Sequence, residues 1–380
     1  MSALLEPVFS RDYQTFGDLC SFVGPPTLNV LTLIPFFGWC DAKRIAIGSR
    51  RRTLKGTIIV TGGSGFIGTH LIDQLREIGG LEIVNLDVVP PRMNAHRGHW
   101  VKCDIMDSVE LNRIFTELCP QYVAHLAART DMGGKTVDDY RLNSIGTQHV
   151  ADAICQCGSV ARSVFVSTQF VVGPGKLPEH DQEFRPHTIY GQSKVLAEMA
   201  VRSAGLDCVW TIVRPTNVWG SLHPRYPREF WRVMDRGLYL HPGSKPVVRS
   251  YGYVDNVVQQ IIGILEKPAV AVDRKVFYVG DPPLVLLTWV NAFSMELTGR
   301  PVRVIPHAAL RVLAWLGDGL TRVGVKFPIY SSRLKSMTED YPTPMEPTFA
   351  LLGPPKTSLK DGVRQTVKWL RTAYENKAEG

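Results

Sequence analysis

The run Thr57-Ile58-Ile59-Val60-Thr61-Gly62-Gly63-Ser64-Gly65-Phe66-Ile67-Gly68 passes from a β-branched strand through a glycine turn into a helix. Gly62 and Gly65 permit a tight turn and let the backbone come close to a pyrophosphate, while Gly68 lets helix pack on strand. The helix start at Phe66 and Ile67 offers unpaired N–H groups to phosphate oxygens. Glycine spacing alone says little, but between a strand and a helix it is the context that a dinucleotide-binding turn requires. Asp87 follows at the end of the next apolar run, where a carboxylate would bond the adenosine ribose hydroxyls and repel a 2′-phosphate. NAD is therefore expected ahead of NADP, with Arg92 in the same loop keeping NADP as the second reading.

Outward from this unit the pattern repeats. Apolar runs at Thr57–Val60, Leu81–Val88, Trp100–Lys102, Tyr122–Ala128, Ser163–Val166 and Val209–Val213 alternate with helix-length amphipathic stretches at Phe66–Ile78, Ser108–Leu118, Tyr140–Gln156 and Tyr190–Ser203. That alternation predicts an α/β fold, a doubly wound parallel sheet of the Rossmann kind, as an NAD-binding domain over residues 55–215. After Pro215 the regularity loosens, with a strand-like run at Lys275–Gly280 and helices near Leu287–Thr298 and Ala308–Val323. Residues 216–380 are expected to be mainly a smaller C-terminal substrate-binding lobe with terminal helices. The Ala308–Val323 helix, with Leu310, Val312, Leu313, Trp315 and Leu316, is expected to pack on the core or a partner subunit rather than a membrane.

The chain of 380 residues is 44% hydrophobic and 21% charged, which excludes a disordered, collagen-like or polytopic membrane protein. Seven scattered cysteines (Cys20, Cys40, Cys103, Cys119, Cys155, Cys157, Cys208) suit reduced thiols in a cytoplasm and read as small core hydrophobes. Residues 1–56 hold seven Lys/Arg against four acids, and the rest of the +8 formal charge reads as a diffuse excess. Such an excess favours an anionic small substrate over nucleic acid. The apolar run from Val30 to Cys40 is interrupted by Pro35 and Gly38 and is too short to span a bilayer. Its basic residues, Lys43, Arg44 and Arg50-Arg51-Arg52, come after it, unlike those of a signal peptide. Residues 1–54 therefore read as an N-terminal extension, expected to be poorly ordered. Cys155-x-Cys157 and His96-x-x-His99 lack further ligands at metal spacing, so no metal is expected.

Beyond the glycine turn stand three further marks: Asp104-Ile105, His125-Leu126-Ala127-Ala128, and Asn143 in Asn143-Ser144-Ile145-Gly146-Thr147. Together with Gly62-x-x-Gly65-x-x-Gly68 they resemble the extended short-chain dehydrogenase/reductase family, which contains NAD-dependent sugar-nucleotide epimerases and dehydratases. The resemblance runs from about Lys55 to the C-terminus. It implies that Gly62, Gly65, Phe66, Ile67, Gly68, Asp87, Asp104, Ile105, Ala127 and Ala128 hold NAD, with Asp104 at the adenine. It also implies a homodimer through helices of the cofactor half.

Tyr190 and Lys194 in Tyr190-Gly191-Gln192-Ser193-Lys194 lie one turn apart on one helix face. The ammonium is expected to lower the Tyr190 pKa and to hold the nicotinamide ribose, leaving the phenol to exchange a proton with a substrate hydroxyl. Counted as the family pattern does, back from Gly173, Thr168 is the hydroxyl that orients the substrate oxygen, with Ser167 the second candidate. Each piece has a bland reading, an amphipathic surface pair or a helix cap, but their order behind the glycine turn makes the combination specific. Dehydratases of the family place Asp-Glu after the catalytic Thr, whereas Gln169-Phe170 stands here. Redox at a single carbon is expected instead of loss of water.

The resemblance assigns Asn217, in Arg214-Pro215-Thr216-Asn217, to a substrate phosphate and Arg249 to a nucleotide diphosphate, which a guanidinium fork suits. Ser250 and Asn256 stand where the family usually has acids. The reading is NAD(P)-dependent redox at a sugar hydroxyl, most simply C4, of a nucleotide sugar, as epimerase or as reductase/dehydrogenase. A hydroxysteroid-dehydrogenase-like oxidoreductase of a lipid or steroid alcohol is the alternative, and a non-catalytic NAD-binding sensor the second. Arg225, Arg228 and Arg232 around Phe230 and Trp231 read equally as an anion-binding lid or a solvated face.

Overall fold

The glycine-turn unit folds as its residues dictate. In the computed structural model, which describes residues 54–226, 230–243, 245–322, 324 and 329–378, β1 (Gly56–Thr61) leads into α1 (Phe66–Ile78) and back to β2 (Leu81–Asp87). β1 and β2 are parallel, in register from Gly56 opposite Leu81 to Thr61 opposite Leu86. The alternation continues through β3 (Trp100–Lys102), α2 (Ser108–Leu118), β4 (Tyr122–His125), α3 (Arg141–Cys157), β5 (Arg162–Val166), α4 (Ile189–Ser203) and β6 (Val209–Pro215). Shorter pieces follow: β7 (Asn217–Trp219), α5 (Arg232–Asp235), β8 (Leu240–Gly243), β9 (Val248–Arg249) and β10 (Tyr251–Tyr253). Then come α6 (Val254–Glu266), α7 (Ala269–Val272), β11 (Lys275–Val279), β12 (Leu284–Val285), α8 (Leu286–Thr298) and β13 (Arg303–Pro306). The helices α9 (His307–Arg322), α10 (Ser331–Thr338), α11 (Glu346–Leu352) and α12 (Leu359–Ala378) end the chain. The extension read over residues 1–54 lies outside the described residues up to position 53.

The central sheet runs β11-β6-β5-β4-β1-β2-β3, parallel throughout. Strand order reverses between β1 and β4, so the connections leave in opposite directions and open a crevice at the carboxyl ends of the strands. The seventh strand comes from beyond Pro215: β11 pairs with β6 from Lys275 opposite Thr211 to Val279 opposite Pro215. Alternation along each strand feeds two apolar layers. Ile58 and Val60 join Leu71, Ile72 and Leu75 of α1, Val257 and Ile261 of α6, and Trp289 and Phe293 of α8. Ile59 faces the other way, into Leu111 and Phe115 of α2 and Val150 and Ile154 of α3.

Three expectations change. The run read as Tyr122–Ala128 is a strand only to His125, because Leu126 and Ala127 leave the sheet to pass against the glycine turn. Of the described cysteines Cys103 alone is buried, with Cys119 and Cys155 exposed and Cys157 and Cys208 half-buried, so the thiols are not uniformly core residues. Finally, α9 packs on α10 through Leu310 and Ala314, while Val312, Trp315 and Leu316 face outward. Among the described residues no helix is long and apolar enough to cross a membrane.

Candidate active site

A cleft of about 650 Å³ opens at the carboxyl ends of the strands, over the crevice between β1 and β4. Gly62, Gly65, Phe66, Ile67, Gly68, Asp87, Asp104, Ile105, Ala127, Ala128, Thr168, Tyr190, Lys194 and Asn217 all line it, so one cavity gathers residues spread over more than 150 positions. The glycine turn is a cradle with no room for side chains. Gly62 has φ +72°, and a Cβ there would lie 2.6 Å from the Ala127 nitrogen. A Cβ on Gly68 would lie 2.4 Å from the Gly62 carbonyl oxygen. The Ser64 and Val89 backbone N–H groups each donate to the Asp87 carboxylate, both at 3.1 Å, which fixes it against the turn. Arg92 also lines the cleft, its guanidinium donating to the Leu222 carbonyl at 2.7 Å.

The floor is held by buried polar pairs. His125 bridges Thr61 and Thr147, with ring nitrogens 2.7 Å and 2.9 Å from their hydroxyl oxygens. Burial pulls its pKa down to about 3, helped by the Lys194 charge, so the ring is neutral. Asn143, fully buried on α3, accepts from the Arg129 N–H at 2.7 Å and donates to the Arg129 carbonyl and to Ser193 Oγ. It thereby ties the loop after β4 to α4, the helix that carries Tyr190 and Lys194.

Thr168 lies two residues past the end of β5, capping the short turn that carries Phe170, and stands beside the Tyr190 phenol, both buried. Burial pushes Tyr190 up to about 12, and the Thr168 hydroxyl and the Arg225 charge pull it back. Lys194 donates to the Val166 carbonyl at 2.7 Å, and burial pulls its ammonium down to about 8 against the opposing pull of Glu198. Lys194 is thus turned to the strand in this structure, while Arg225, which lines the same cleft, adds a positive charge that favours the phenolate. Phe170 forms the apolar wall beside the phenol, its ring 6.1 Å from that of Tyr190.

Ser167 is committed elsewhere, its hydroxyl donating to Glu198 at 2.5 Å, which leaves Thr168 as the hydroxyl beside Tyr190. Glu198 in turn holds Arg214 through both carboxylate oxygens, at 2.9 Å and 2.8 Å, with both side chains buried. Tyr190, Lys194 and Glu198 follow at i, i+4 and i+8 on α4, a spacing visible in the sequence that would have flagged Glu198. Arg214 carried no such signal, because its partner lies sixteen residues away on another element, α4.

The two substrate candidates part company. Asn217 lines the cleft and donates to the Ser250 carbonyl at 3.4 Å. Arg249 is outside the cleft lining: its guanidinium lies 5.7 Å over the Tyr341 ring and donates to the Ser336 carbonyl of α10. β9 turns it toward the C-terminal helices, a placement that its sequence motif does not encode. Of the three arginines read as a lid, Arg225 lines the cleft, Arg232 is exposed and Arg228 lies outside the described residues.

Residues 58–280 match the family model described as the NAD dependent epimerase/dehydratase family. A 3-beta-hydroxysteroid dehydrogenase of Mycolicibacterium neoaurum is 29% identical over 70% of this chain and 78% of its own. A dTDP-D-glucose 4,6-dehydratase of Mus musculus is 27% identical over 84% of this chain and 90% of its own. Among solved structures, a UDP-glucose 4-epimerase with UDP-glucose from Thermotoga maritima is 25% identical with a TM-score of 0.63, over 84% of this chain and 99% of that one.

Proposed function

Because this chain belongs to the NAD-dependent epimerase/dehydratase family, we propose that it moves a hydride between NAD and a ring secondary alcohol, most simply C4 of a nucleotide sugar. The observation that carries the reading is the meeting of Thr168, Tyr190 and Lys194 with the glycine cradle and Asp87 in one cleft. The cradle fits a dinucleotide: its glycines let the turn pack tightly on itself and on the Leu126-Ala127 backbone at the edge of the cleft, where a pyrophosphate would meet main chain, and Asp87 is held at the turn by two backbone N–H groups, ready for a ribose hydroxyl pair. Asp104, Ile105, Ala127 and Ala128 would flank the rest of the cofactor.

Bound NAD would supply the hydride acceptor for the carbinol carbon and, once reduced, the hydride donor. Thr168 donates a hydrogen bond to the substrate oxygen, and Tyr190 removes the hydroxyl proton as that carbon–hydrogen bond breaks. On reduction Tyr190 gives the proton back. A phenol at about 12 is a weak acid at neutral pH, so the phenolate needs cations; Lys194 and Arg225 line the same cleft. If the ketone is reduced again from its other face, the outcome is epimerisation with NAD unchanged; if it leaves, the protein is a dehydrogenase or, in reverse, a reductase.

Dehydration fits less well. The carboxylates that line the cleft, among the described residues, are Asp87 at the glycine turn and Asp104 just past β3. Gln169 is fully buried and Phe170 is apolar, so neither can move a proton at a neighbouring carbon. A steroid or lipid alcohol is the second reading, favoured by Phe170 beside the phenol and by Arg249 lying away from the cleft. Asn217 and Arg225 would hold the substrate in the first reading, with the segments after Pro215 as its lobe. The homodimer, which rests on the resemblance, and a cytoplasmic location, which rests on the scattered cysteines, belong to the same reading.

Two experiments test this. Gly62→Ala is expected to weaken NAD binding about 5- to 150-fold in calorimetric titration, because a strain of about 1–3 kcal/mol must be relieved by moving the turn. Unchanged affinity would remove the cradle from the cofactor site. The protein is then incubated with UDP-, GDP- and dTDP-hexoses and with a 3β-hydroxysteroid, with NAD(H) or NADP(H), following nicotinamide absorbance and sugar anomeric NMR signals. A new sugar signal without absorbance change gives an epimerase, and one with it a dehydrogenase or reductase. Absorbance change with the steroid alone would replace the nucleotide sugar by the second reading.

A further inference from the structure

Helix α9 is apolar on two faces. Leu310 and Ala314 turn inward and pack with Leu334 of α10. On the other side Val312 (59% exposed), Trp315 (73%), Leu316 (47%) and Leu320 (37%) form a stripe at helical spacing that is open to solvent. A surface helix ordinarily presents polar residues there, and an exposed apolar stripe of this size marks a contact with another apolar phase. The charge around it says which. Residues 300–335 carry seven Lys/Arg (Arg300, Arg303, Arg311, Arg322, Lys326, Arg333, Lys335) and one acid, Asp318, so six of the eight excess positive charges of the chain sit in this segment. Arg300, Arg303, Arg311 and Lys335 are exposed.

We propose that the outer face of α9 docks on an anionic phospholipid bilayer surface, with Trp315 and Leu316 at the acyl boundary and Arg311 among the headgroups. A second copy of the same patch is the poorer occupant, because two segments each carrying six excess positive charges repel. Apolar burial and attraction to anionic lipid act together in such a helix, which lies in the interface without crossing it. The docking does not depend on which alcohol the cleft takes.

The test is co-sedimentation of the full chain with vesicles of phosphatidylcholine alone and of equal parts phosphatidylcholine and phosphatidylglycerol. The protein is expected to sediment with the anionic vesicles, and less as salt rises. The double variant Trp315→Glu with Leu316→Glu is expected to lower that partition at least about tenfold. Arg311→Glu, which leaves the apolar stripe intact, is expected to lower it about fivefold or more and to weaken its salt dependence. NAD affinity, measured alongside, should be unchanged in both variants and reports that they are folded. Failure of the parent protein to bind anionic vesicles would overturn the proposal. So would undiminished binding by the folded double variant, which would place the contact elsewhere in the chain. A dimer that dissociates in the double variant while vesicle binding is unaltered would make the face a contact between copies.

Discussion

Tyr190→Phe is expected to reduce turnover about 10²–10⁴-fold while leaving NAD affinity unchanged. The phenol is buried beside Thr168 and has a chemical role, whereas the cofactor cradle is built from Gly62, Gly65 and Gly68 at the far end of β1 and the start of α1. Phenylalanine keeps the ring and its packing against Tyr140 and Phe170, 6.2 Å and 6.1 Å away between centroids, so the helix is not disturbed. Turnover is followed with whichever substrate the panel identifies, and affinity by titration of NAD. Equal loss of both would mean that Tyr190 supports the fold of the cleft, and retained turnover would take it out of the proton transfer.

Glu198→Ala is expected to cost about 3–5 kcal/mol of stability, the range for stranding one member of a buried ion pair. Arg214 is fully buried, and its guanidinium charge would be left with the Tyr278 hydroxyl, 3.2 Å away, and the Asp181 carbonyl. Ser167 would lose its acceptor, and Lys194 the carboxylate that favours its charged form. Urea unfolding monitored by tryptophan fluorescence gives the number. A loss below about 1 kcal/mol would show that the neighbouring dipoles carry the Arg214 charge without the carboxylate. Glu198→Gln, which keeps an acceptor for Ser167, separates the hydrogen bond from the charge.

Much of the site was legible because its parts are local. A glycine that must adopt φ +72° at the end of a strand, and a phenol and an ammonium one turn apart, are patterns within a few residues. The α/β alternation was equally plain, since a buried parallel strand and an amphipathic helix have different periods. Asn143 could be placed on its helix by motif, but its bonds to the Arg129 backbone and to Ser193 join elements far apart in sequence.

The sequence by itself determined the order of strands and helices, the cradle between β1 and α1, and the pairing of Tyr190 with Lys194, because backbone geometry and side-chain periodicity act over short distances. Only the tertiary structure decided that β11 completes the sheet, that Arg249 turns toward Ser336 and Tyr341 instead of the cleft, that Lys194 rests on the Val166 carbonyl while Arg225 lines the cleft, and that α9 keeps an apolar face in the open. Each of these depends on which distant surface a side chain meets, and that is set by the packing of whole elements against one another.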